Sequence, residues 1–407
     1  MIELLGKSKE ELRTFCAEMG EPAYRGGQIY HALYAERKFD FARMTNLPAA
    51  LRDRLAKEAR VTLPEVKQQF ASADGSVRYL LGLSGTAQGR FNTEDTEKDS
   101  TEGREKSQEE KIRPLKPASV EAVFMPSEGR QTICISTQAG CAVDCHFCLT
   151  AQLGLIRNLT AGEIVGQVLV ALEEHAAEEK REKDGGQEPA CAGRPGAPQT
   201  RDAVQTNVVL MGQGEPLLNF EPVMAALPIL LDPEGVGLSP KHVTLSTSGI
   251  VPGIERLAQE KVRPKLAISL NASNDEQRDA LMPINRKYPL SALMKACKDY
   301  PLRPWEHLTF EYVMLGGVND SADDARRVVR LLAPLKRVKV NLIPWNPGEL
   351  PYRESAPERI EEFRRILTDK SVPAFVRYSR GRDVMAACGQ LALLNVSAQS
   401  GLVSIAP

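Results

Sequence analysis

The chain has 407 residues and a formal net charge of −1; 42% of its residues are hydrophobic and 26% are charged. Such a chain can bury a full hydrophobic core, and we expect one large domain with a smaller one beside it. No stretch approaches the roughly 18 consecutive apolar residues of a membrane span, and the charged start MIELLGKSKEEL is unlike a secretion signal. Eight cysteines in this context favour reduced thiols in the cytoplasm over a disulfide framework.

The net charge is unevenly distributed along the chain. Segments 94–111 and 173–188 each carry a net charge of −4, so the remaining residues carry +7. Both segments are polar and poor in aromatic residues, and we expect solvated surface insertions over about 88–118 and 175–203. The basic remainder permits a polyanionic partner such as RNA without identifying one.

Helical patterns open the chain. Ser8 and Glu11 have the capping-box spacing at the first of them, MIELLGKSKEEL. RGGQIYHALYAERK continues the helical pattern, and Pro48 is well placed at the start of the helix LPAALRDRLAKEA. The sequence therefore predicts a small helical accessory module over 1–65.

Two hairpin patterns follow over 66–129. VKQQFASADGSVRYLLGLSG contains two strands that turn at Asp74-Gly75, and VEAVFMPSEGRQTICIST turns at Ser127-Glu128-Gly129. The first acidic insertion separates the two patterns. We expect a β-hairpin extension that leads directly into a run of cysteines.

From 130 to 395, short apolar strands alternate with helical stretches. The predicted strands are TICIST, NVVLMG, HVTLSTS, KLAISL, LTFEYVML, VKVNLIP and AFVRYS. This alternation predicts an α/β domain of parallel strands with crossover helices, hence a complete or partial (β/α) barrel, followed by a tail over 396–407. In such barrels the chemistry lies on loops at the C-terminal ends of the strands.

Cys141, Cys145 and Cys148 form a C-x3-C-x2-C run in AGCAVDCHFCLTAQ, after the first barrel strand. Three thiolates can occupy three corners of a metal centre and leave one position open for chemistry. Structural zinc sites usually add a fourth Cys or His at a matching spacing, and only His146 lies nearby. The pattern favours an iron–sulfur cluster, with zinc or buried free thiols as the alternatives.

Polar residues follow several of the other predicted strands. They are Gly212-Gln213-Gly214-Glu215-Pro216, Ser246-Thr247-Ser248-Gly249, Ser269-Leu270-Asn271 and Pro344-Trp345-Asn346-Pro347. Two glycines let the backbone approach a ligand closely, and a carboxylate accepts hydrogen bonds from an amine. Taken singly, each group is more often a cap or a turn. Together they suit a small, zwitterionic and polyhydroxylated ligand.

Two further cysteines stand near this predicted mouth. Cys134 lies seven residues before the cluster run, on a strand, and Cys388 lies in SRGRDVMAACGQLA beside Gly389. Because cysteine is among the most buried residue types, a core position is the alternative for each of them. Cys16 and Cys297 lie on helical stretches and Cys191 in an insertion, and we expect no chemical role for these three.

Six ordered motifs carry a family resemblance. They are TICISTQAGCAVDCHFCLTAQLGLIRNLTAGEI, MGQGEPLLN, VTLSTSG, EYVMLGGVND, NLIPWNP and DVMAACGQL. Together they resemble the RlmN-type adenosine C2-methyltransferases of the radical S-adenosylmethionine superfamily, over 1–395 apart from the insertions. The resemblance implies a partial (β/α)6-type barrel with an N-terminal helical RNA-binding module. It also implies methylation of an adenosine at the peptidyl-transferase centre of 23S rRNA and of the adenosine 3′ of the anticodon in tRNA.

The resemblance assigns roles to particular residues. Cys141, Cys145 and Cys148 would hold a 4Fe–4S cluster. Cys388 would be the cysteine that is methylated, and Cys134 the cysteine that resolves the protein–RNA adduct. S-adenosylmethionine would be held by Gly214, Glu215, Ser246, Ser269, Leu270, Asn271 and Asn346. Glu121 would be the proton acceptor.

The implied reaction uses two S-adenosylmethionine molecules, one to methylate Cys388 and one as the radical source. It ends with a Cys134–Cys388 disulfide that has to be reduced. An electron donor such as flavodoxin and a monomeric, cytoplasmic enzyme are also implied. Two positions depart from the family pattern: Met is common where Gln213 stands, and His where Asn271 stands. Asn271 can still donate and accept hydrogen bonds at its position.

Two rival functions remain open from the sequence. One is a C8-specific rRNA adenosine methyltransferase of the antibiotic-resistance (Cfr) type, which has Ala after the Glu of the G-x-G-E turn and Tyr before the loop Asn. Pro216 and Trp345 stand at those positions here and favour C2. The other is a non-catalytic, zinc-containing RNA-binding protein.

Overall fold

The fold is taken from a computed structural model that describes residues 1–83, 88–89, 113–114, 118–184, 204–392, 394–396 and 403–405. Most of both predicted acidic insertions, and Cys191, lie outside these residues. Within the described part of the chain, no helix is both long enough and apolar enough to cross a membrane.

The helices lie in the N-terminal module and between the strands. They are α1 (Lys9–Glu18), α2 (Tyr24–Tyr34), α3 (Ala49–Glu58), α4 (Leu149–Gln152), α5 (Ala161–Asp184), α6 (Phe220–Leu231), α7 (Val251–Leu257), α8 (Asp275–Leu281), α9 (Leu290–Asp299), α10 (Ala322–Leu332) and α11 (Pro357–Asp369). The capping box predicted for α1 is present, because Glu11 N donates to Ser8 Oγ at 3.2 Å and Ser8 N donates to Glu11 Oε2 at 2.8 Å.

The predicted strands are all present, and several short strands that were not predicted accompany them. They are β1 (Ile2–Glu3), β2 (Ala59–Arg60), β3 (Glu65–Ala71), β4 (Val77–Leu83), β5 (Gln88–Gly89), β6 (Arg113–Pro114), β7 (Ala118–Ser127), β8 (Arg130–Ile135), β9 (Gln138–Gly140), β10 (Leu155–Asn158), β11 (Gln205–Leu210), β12 (Val243–Thr247), β13 (Lys265–Ser269), β14 (Leu308–Met314), β15 (Val338–Pro344), β16 (Ala374–Val376), β17 (Leu394–Val396) and β18 (Val403–Ile405). Both predicted hairpins are confirmed, as β3–β4 and β7–β8.

One sheet of the described residues has the strand order β16-β15-β14-β13-β12-β11-β8-β7-β4-β3. Its strands β8 and β11 to β16 are parallel to one another, which confirms the predicted alternation of strands and crossover helices. The strands β7, β4 and β3 continue the same sheet in antiparallel fashion. The hairpin extension is therefore part of the main sheet.

Side chains on the parallel strands alternate between the two faces of the sheet. On β13, Leu266 and Ile268 lie on one face and Ala267 on the other, and all three are fully buried. Buried apolar residues of the helices and the strands belong to one large cluster, which includes Phe310 of β14. Both faces of β13 are therefore covered, and its last residue, Ser269, is only partly buried.

The N-terminal helices pack at very short range. A Cβ placed on Gly26 of α2 would lie 2.3 Å from the backbone nitrogen of Arg13, so only glycine allows this approach of α2 to α1. Tyr34 Oη accepts a hydrogen bond from Gly6 N at 2.9 Å and ties α2 to the first turn of the chain. The module is a packed unit rather than a loose arm.

The second predicted insertion begins differently from the expectation. Helix α5 continues through residues 175–184, so this part of the insertion is helical. The ring of His175 lies 4.3 Å from the ring of Phe124 on β7, centroid to centroid. The polar composition of the segment did not reveal this contact, because it depends on the packing of α5 against β7, which local composition does not encode.

Candidate active site

A cavity of about 990 Å³, including the part open to solvent, lies at the C-terminal ends of the parallel strands. Predicted site residues that line it are Cys141, Cys145, Cys148, Gly214, Glu215, Ser246, Ser269, Asn271, Asn346 and Cys388. Residues Glu121, Cys134 and Leu270 are not part of its lining.

The cysteine run is held against the cavity from three sides. The backbone N–H of His146 donates to Leu281 O at 3.0 Å, and Leu149 N donates to Gly389 O at 2.8 Å. Trp345 Nε1 donates to Phe147 O at 3.4 Å, and the two side chains share a small apolar cluster. These contacts fix the run at the cavity wall through its backbone and leave the sulfur atoms available as ligands.

The thiols of the run are in an unfavourable setting for ionisation. Burial raises the pKa of Cys141 to about 12, and burial raises the pKa of Cys145 and of Cys148 as well. Thiolates are the ligands of metal centres, so binding of a cationic centre has to offset this cost. Across the described ranges, no three Cys, His, Asp or Glu side chains are grouped as ligands of a single metal ion.

The G-x-G-E turn after β11 needs both of its glycines. A Cβ on Gly212 would lie 2.7 Å from Ser136 Oγ. Gly214 has φ +98°, and Gln138 occupies the space that a Cβ on Gly214 would need. The turn places the Glu215 carboxylate against β12, where Oε2 accepts from Ser248 N at 2.6 Å and from Ser248 Oγ at 2.7 Å.

Glu311 was not predicted as a site residue, yet it lies on the cavity wall in the middle of β14. Its Oε2 accepts from Ser246 Oγ at 2.9 Å. Burial raises the pKa of Glu311, and the hydrogen bond from Ser246 opposes that rise. An acid inside the apolar strand LTFEYVM is the signal that could have identified Glu311, because burying a carboxyl group in such a strand costs free energy.

The Ser269-Leu270-Asn271 segment turns sharply into the cavity. Asn271 has φ +54°, a left-handed conformation that Asn tolerates better than most residues. Its Oδ1 accepts from Val313 N at 2.9 Å, and its Nδ2 lies 3.4 Å from the sulfur of Met282. Leu270 is fully buried behind the wall.

Arg278 holds this segment from behind and was also missed by the sequence reasoning. It is fully buried, and its guanidinium donates to the carbonyl oxygens of Ser248 at 2.6 Å, Ser269 at 3.1 Å and Leu270 at 3.2 Å. Burial lowers the pKa of Arg278 to about 10. The ends of β12 and β13 are therefore held together by one side chain.

Asn346 connects the cavity to Cys388. Its Nδ2 donates to Ser379 Oγ at 2.9 Å and to Cys388 O at 3.0 Å. Its buried Oδ1 has no hydrogen-bond partner among the described residues, although Asn346 is 5% exposed and lines the cavity. A buried acceptor of this kind suits a ligand that donates a hydrogen bond.

Two protein-family models and several known proteins match this chain. Residues 2–61 match the family model described as the ribosomal RNA large subunit methyltransferase N-terminal domain, and residues 199–332 match the radical SAM superfamily model. The chain is 45% identical over 375 residues to the probable dual-specificity RNA methyltransferase RlmN of Koribacter versatilis, covering 92% of this chain and 96% of the relative.

The chain belongs to the RlmN family of radical SAM RNA methyltransferases.

Further relatives agree with this assignment. The dual-specificity RNA methyltransferase RlmN of Paracoccus denitrificans is 44% identical over 395 residues, covering 95% of this chain and 89% of the relative. The crystal structure of a radical SAM methyltransferase from Sphaerobacter thermophilus superposes with a TM-score of 0.76 at 37% identity, covering 96% of this chain and 99% of that one. Membership decides against the non-catalytic, zinc-containing RNA-binding protein.

Cys388 and Cys134, the two cysteines expected to act on RNA, lie on either side of the cavity wall. Cys388 is exposed toward the cavity. The poorly hydrated site raises the pKa of Cys388 to about 12, and the charges of Glu311 and Cys148 add to the rise. Cys134 is buried behind the wall and packs with Ala386 and Leu391, which flank Cys388. Burial raises the pKa of Cys134, and the Cys388 charge adds to the rise. Both residues are free thiols in the structure.

Glu121 lies outside the cavity lining, on β7. It is fully buried and forms an ion pair with Arg78, and Gln213 Nε2 lies 3.4 Å from its Oε2. Gln213, one of the two departures from the family pattern, therefore connects Glu121 to the G-x-G-E turn. The proton-acceptor role of Glu121 rests on the resemblance alone.

Proposed function

We propose that this protein methylates C2 of an adenosine at the peptidyl-transferase centre of 23S rRNA and C2 of the adenosine 3′ of the anticodon in tRNA. The observation that carries the proposal is one cavity that brings together the three-cysteine run, the G-x-G-E turn and Cys388. A further cysteine, Cys134, stands directly behind it. Ligand cysteines and a separate reactive thiol in one cavity are what a methyl-cysteine mechanism needs.

The residues on the cavity wall fit the two cofactors of this chemistry. Cys141, Cys145 and Cys148 would hold a 4Fe–4S cluster, in which each thiolate binds its own iron, so the sulfurs need not converge on one ion. His146, the fourth ligand that zinc would need, is absent from the lining, and its Nε2 lies 3.5 Å from Asp144.

S-adenosylmethionine is proposed to lie beside this run. Gly214, Glu215, Ser246, Ser269, Asn271 and Asn346 would line its site, and Leu270 would contribute only through its backbone. The unpartnered Oδ1 of Asn346 supports a ligand with a donor group there. When bound, cluster and cofactor would supply the methyl group and the radical chemistry, with electrons from a donor such as flavodoxin.

The protein itself would orient the reacting groups and hold the proton. Cys388 has to lose its proton to accept a methyl group, and the raised pKa opposes this loss, so a cationic donor beside the sulfur would favour the thiolate. Glu121, which is paired with Arg78, is proposed to accept the C2 proton from its match to the family's proton acceptor. We place the reaction in the cytoplasm, where Cys134, Cys388 and the three cysteines of the run stay reduced.

The sheet is proposed to curve as a partial barrel. Residues from β11, β12, β13, β14 and β15 line the same cavity, which a flat sheet of these strands would not allow. Helices α1–α3 are proposed as an RNA-binding module, supported by the match of residues 2–61 to the methyltransferase N-terminal domain model.

Specificity for C2 over C8 is supported by the wall beside the cysteine run. Trp345 reaches across to Phe147 O, and Pro216 begins the short helical turn after Glu215. Both residues differ from those of the C8 enzymes at the same positions. Trp345 lines the cavity, and Pro216 directly follows Glu215, which also lines it.

The RNA substrates can be tested in cells. We expect rRNA and tRNA from a strain that lacks this gene to lose 2-methyladenosine at both positions, and to regain it when the wild-type gene is restored. Mass spectrometry of nuclease digests measures both. Unchanged 2-methyladenosine, or loss of 8-methyladenosine instead, would contradict the proposal.

Metal content provides the second test. We expect Cys145→Ala, purified without oxygen, to lose most of its iron and sulfide and the broad visible absorption of an iron–sulfur protein. Cys297→Ala is the matched control, because Cys297 is buried on α9 outside the cavity. Iron and sulfide assays check the result. A colourless wild type with one zinc would overturn the cluster assignment.

A further inference from the structure

The segment 384–391, here named the Cys388 loop, is held firmly at its downstream end. Leu149 N donates to Gly389 O at 2.8 Å and Thr150 Oγ1 donates to Leu391 O at 2.5 Å, so helix α4 and the loop are tied together. Gln390 Nε2 also donates to Pro347 O at 2.8 Å. These bonds connect the loop to the cysteine run.

The upstream end is held by a different part of the molecule, the turn of the β3–β4 hairpin. Gly381 N donates to Asp74 Oδ2 at 2.9 Å, and Ala73 N donates to Asp383 Oδ2 at 3.0 Å. Ser72 Oγ adds a bond to Asp383 Oδ1 at 2.6 Å. Each segment thus offers a carboxylate to a backbone N–H of the other, and we name this pair of aspartates, Asp74 and Asp383, the clasp.

Arg380 strengthens the same contact. Its guanidinium donates to the backbone carbonyls of Asp74 and Pro126, so it reaches the turn of β3–β4 and the end of β7 at once. Its Nε lies 3.5 Å from Asp74 Oδ2. Both hairpins of the N-terminal extension therefore touch the segment that precedes the Cys388 loop.

The clasp is coupled tightly to the loop itself. Gly381 has φ +65°, and a Cβ there would lie 2.7 Å from the Cβ of Ala386. Ala386 N donates to Gly381 O at 2.8 Å, and Met385 takes a left-handed φ of +54°. A shift at the clasp is passed directly to Ala386, two residues before Cys388.

Both aspartates are ionised at neutral pH. Partial burial of Asp74 acts against its ionisation, but hydrogen bonds from Gly381 and from the Ser76 and Ser72 groups lower its pKa to about 2. The hydrogen bond from Ser72 and the one from Ala73 lower the pKa of Asp383. Charged acceptors make the stronger hydrogen bonds.

We propose that Asp74 and Asp383 are positioning residues for Cys388, acting through the loop that the clasp and helix α4 hold at its two ends. This inference rests on the proposed role of Cys388 as the methylated residue. Neither aspartate lines the cavity. Their effect is to keep the sulfur of Cys388 within the cavity, where it takes up the methyl group and delivers it to RNA, because a reacting atom displaced by 1 Å can cost about 100-fold in rate.

The test compares Asp74→Asn, Asp383→Asn and the double variant with wild type. We expect each single change to speed hydrogen–deuterium exchange of the amides of 384–391 by about tenfold, with the rest of the sheet unchanged. The double variant is expected to match either single one, because the two carboxylates support a single contact. This measurement needs neither cofactor nor RNA.

Mass spectrometry of the same proteins gives the methylated fraction of Cys388, and RNA binding is measured by fluorescence anisotropy. We expect the rate of Cys388 methylation to fall about tenfold while RNA affinity stays unchanged. Asp299→Asn, an exposed aspartate of α9 paired only with Lys295 among the described contacts, is the charge-matched control.

The outcomes separate the possibilities. Unchanged exchange over 384–391, or faster exchange throughout the sheet, would overturn the positioning role, the second because it shows general destabilisation. Faster exchange with normal Cys388 methylation would also overturn it. If wild-type Cys388 is never methylated, the proposed function fails, and the exchange data still report on the clasp.

Discussion

Replacing Cys388 by alanine is expected to reduce methylation of rRNA and tRNA by about 10³-fold or more, with the iron and sulfide content unchanged. The cysteine is exposed toward the cavity that the three ligand cysteines line, and it is the proposed carrier of the methyl group. No other thiol in the lining is free for this role, because the remaining three are the proposed cluster ligands. A radioactive methyl-transfer assay on unmodified rRNA measures the loss.

The control for this experiment is again Cys297→Ala, which removes a thiol of the same size from the core without touching the cavity. Retention of the visible absorption of the cluster in Cys388→Ala would show that the site is intact. Methylation within tenfold of wild type would show that the methyl group reaches RNA without Cys388, and the methyl-cysteine mechanism would then be abandoned.

Replacing Cys134 by alanine is expected to trap RNA on the protein. Cys134 shares an apolar cluster with Ala386 and Leu391 of the Cys388 loop, and its proposed role is to attack the Cys388 sulfur. In that step the Cys134 thiolate forms a disulfide with Cys388, the carbon–sulfur bond breaks with its electron pair left on the RNA-bound carbon, and that carbon takes up a proton to become the methyl group. Without Cys134, the bond from Cys388 to the RNA carbon persists, and turnover stops after the first adduct.

The adduct would appear as a slowly migrating band on a denaturing gel after incubation with labelled RNA, cofactor and reductant. The double variant Cys134→Ala, Cys388→Ala should not form the band, which ties it to the Cys388 sulfur. Rapid multiple turnover by Cys134→Ala without any band would assign the resolving step to another group. The same variant should retain its iron, since Cys134 is outside the cysteine run.

Much of the fold could be predicted, because the signals are local. The seven parallel strands β8 and β11 to β16 are short apolar runs, and the capping box at Ser8 is a pattern of four residues. Joining the hairpins β3–β4 and β7–β8 to the same sheet could not be predicted. It depends on pairings such as Leu80 with Glu121, far apart along the chain.

The site was predictable to the extent that its residues follow strand ends or belong to motifs. Glu311 was missed because it lies within a strand, and Arg278 because it acts on backbone carbonyls from a helix behind the wall. The position of Glu121 in an ion pair with Arg78 was equally hidden, since the two residues are brought together by strand pairing. Local patterns carry no information on such contacts.

The clasp has a consequence for the order of events during synthesis. It joins Asp74 to Gly381, residues that are 307 positions apart in the chain. A ribosome extends the chain from the N-terminus, so the β3–β4 hairpin is made long before its partner segment. Contacts of such wide separation are among the last to form in folding. A growing chain can thus complete the loops proposed to bind the cofactor while the Cys388 loop is still missing, and the proposed modification of RNA has to wait until that loop has been made.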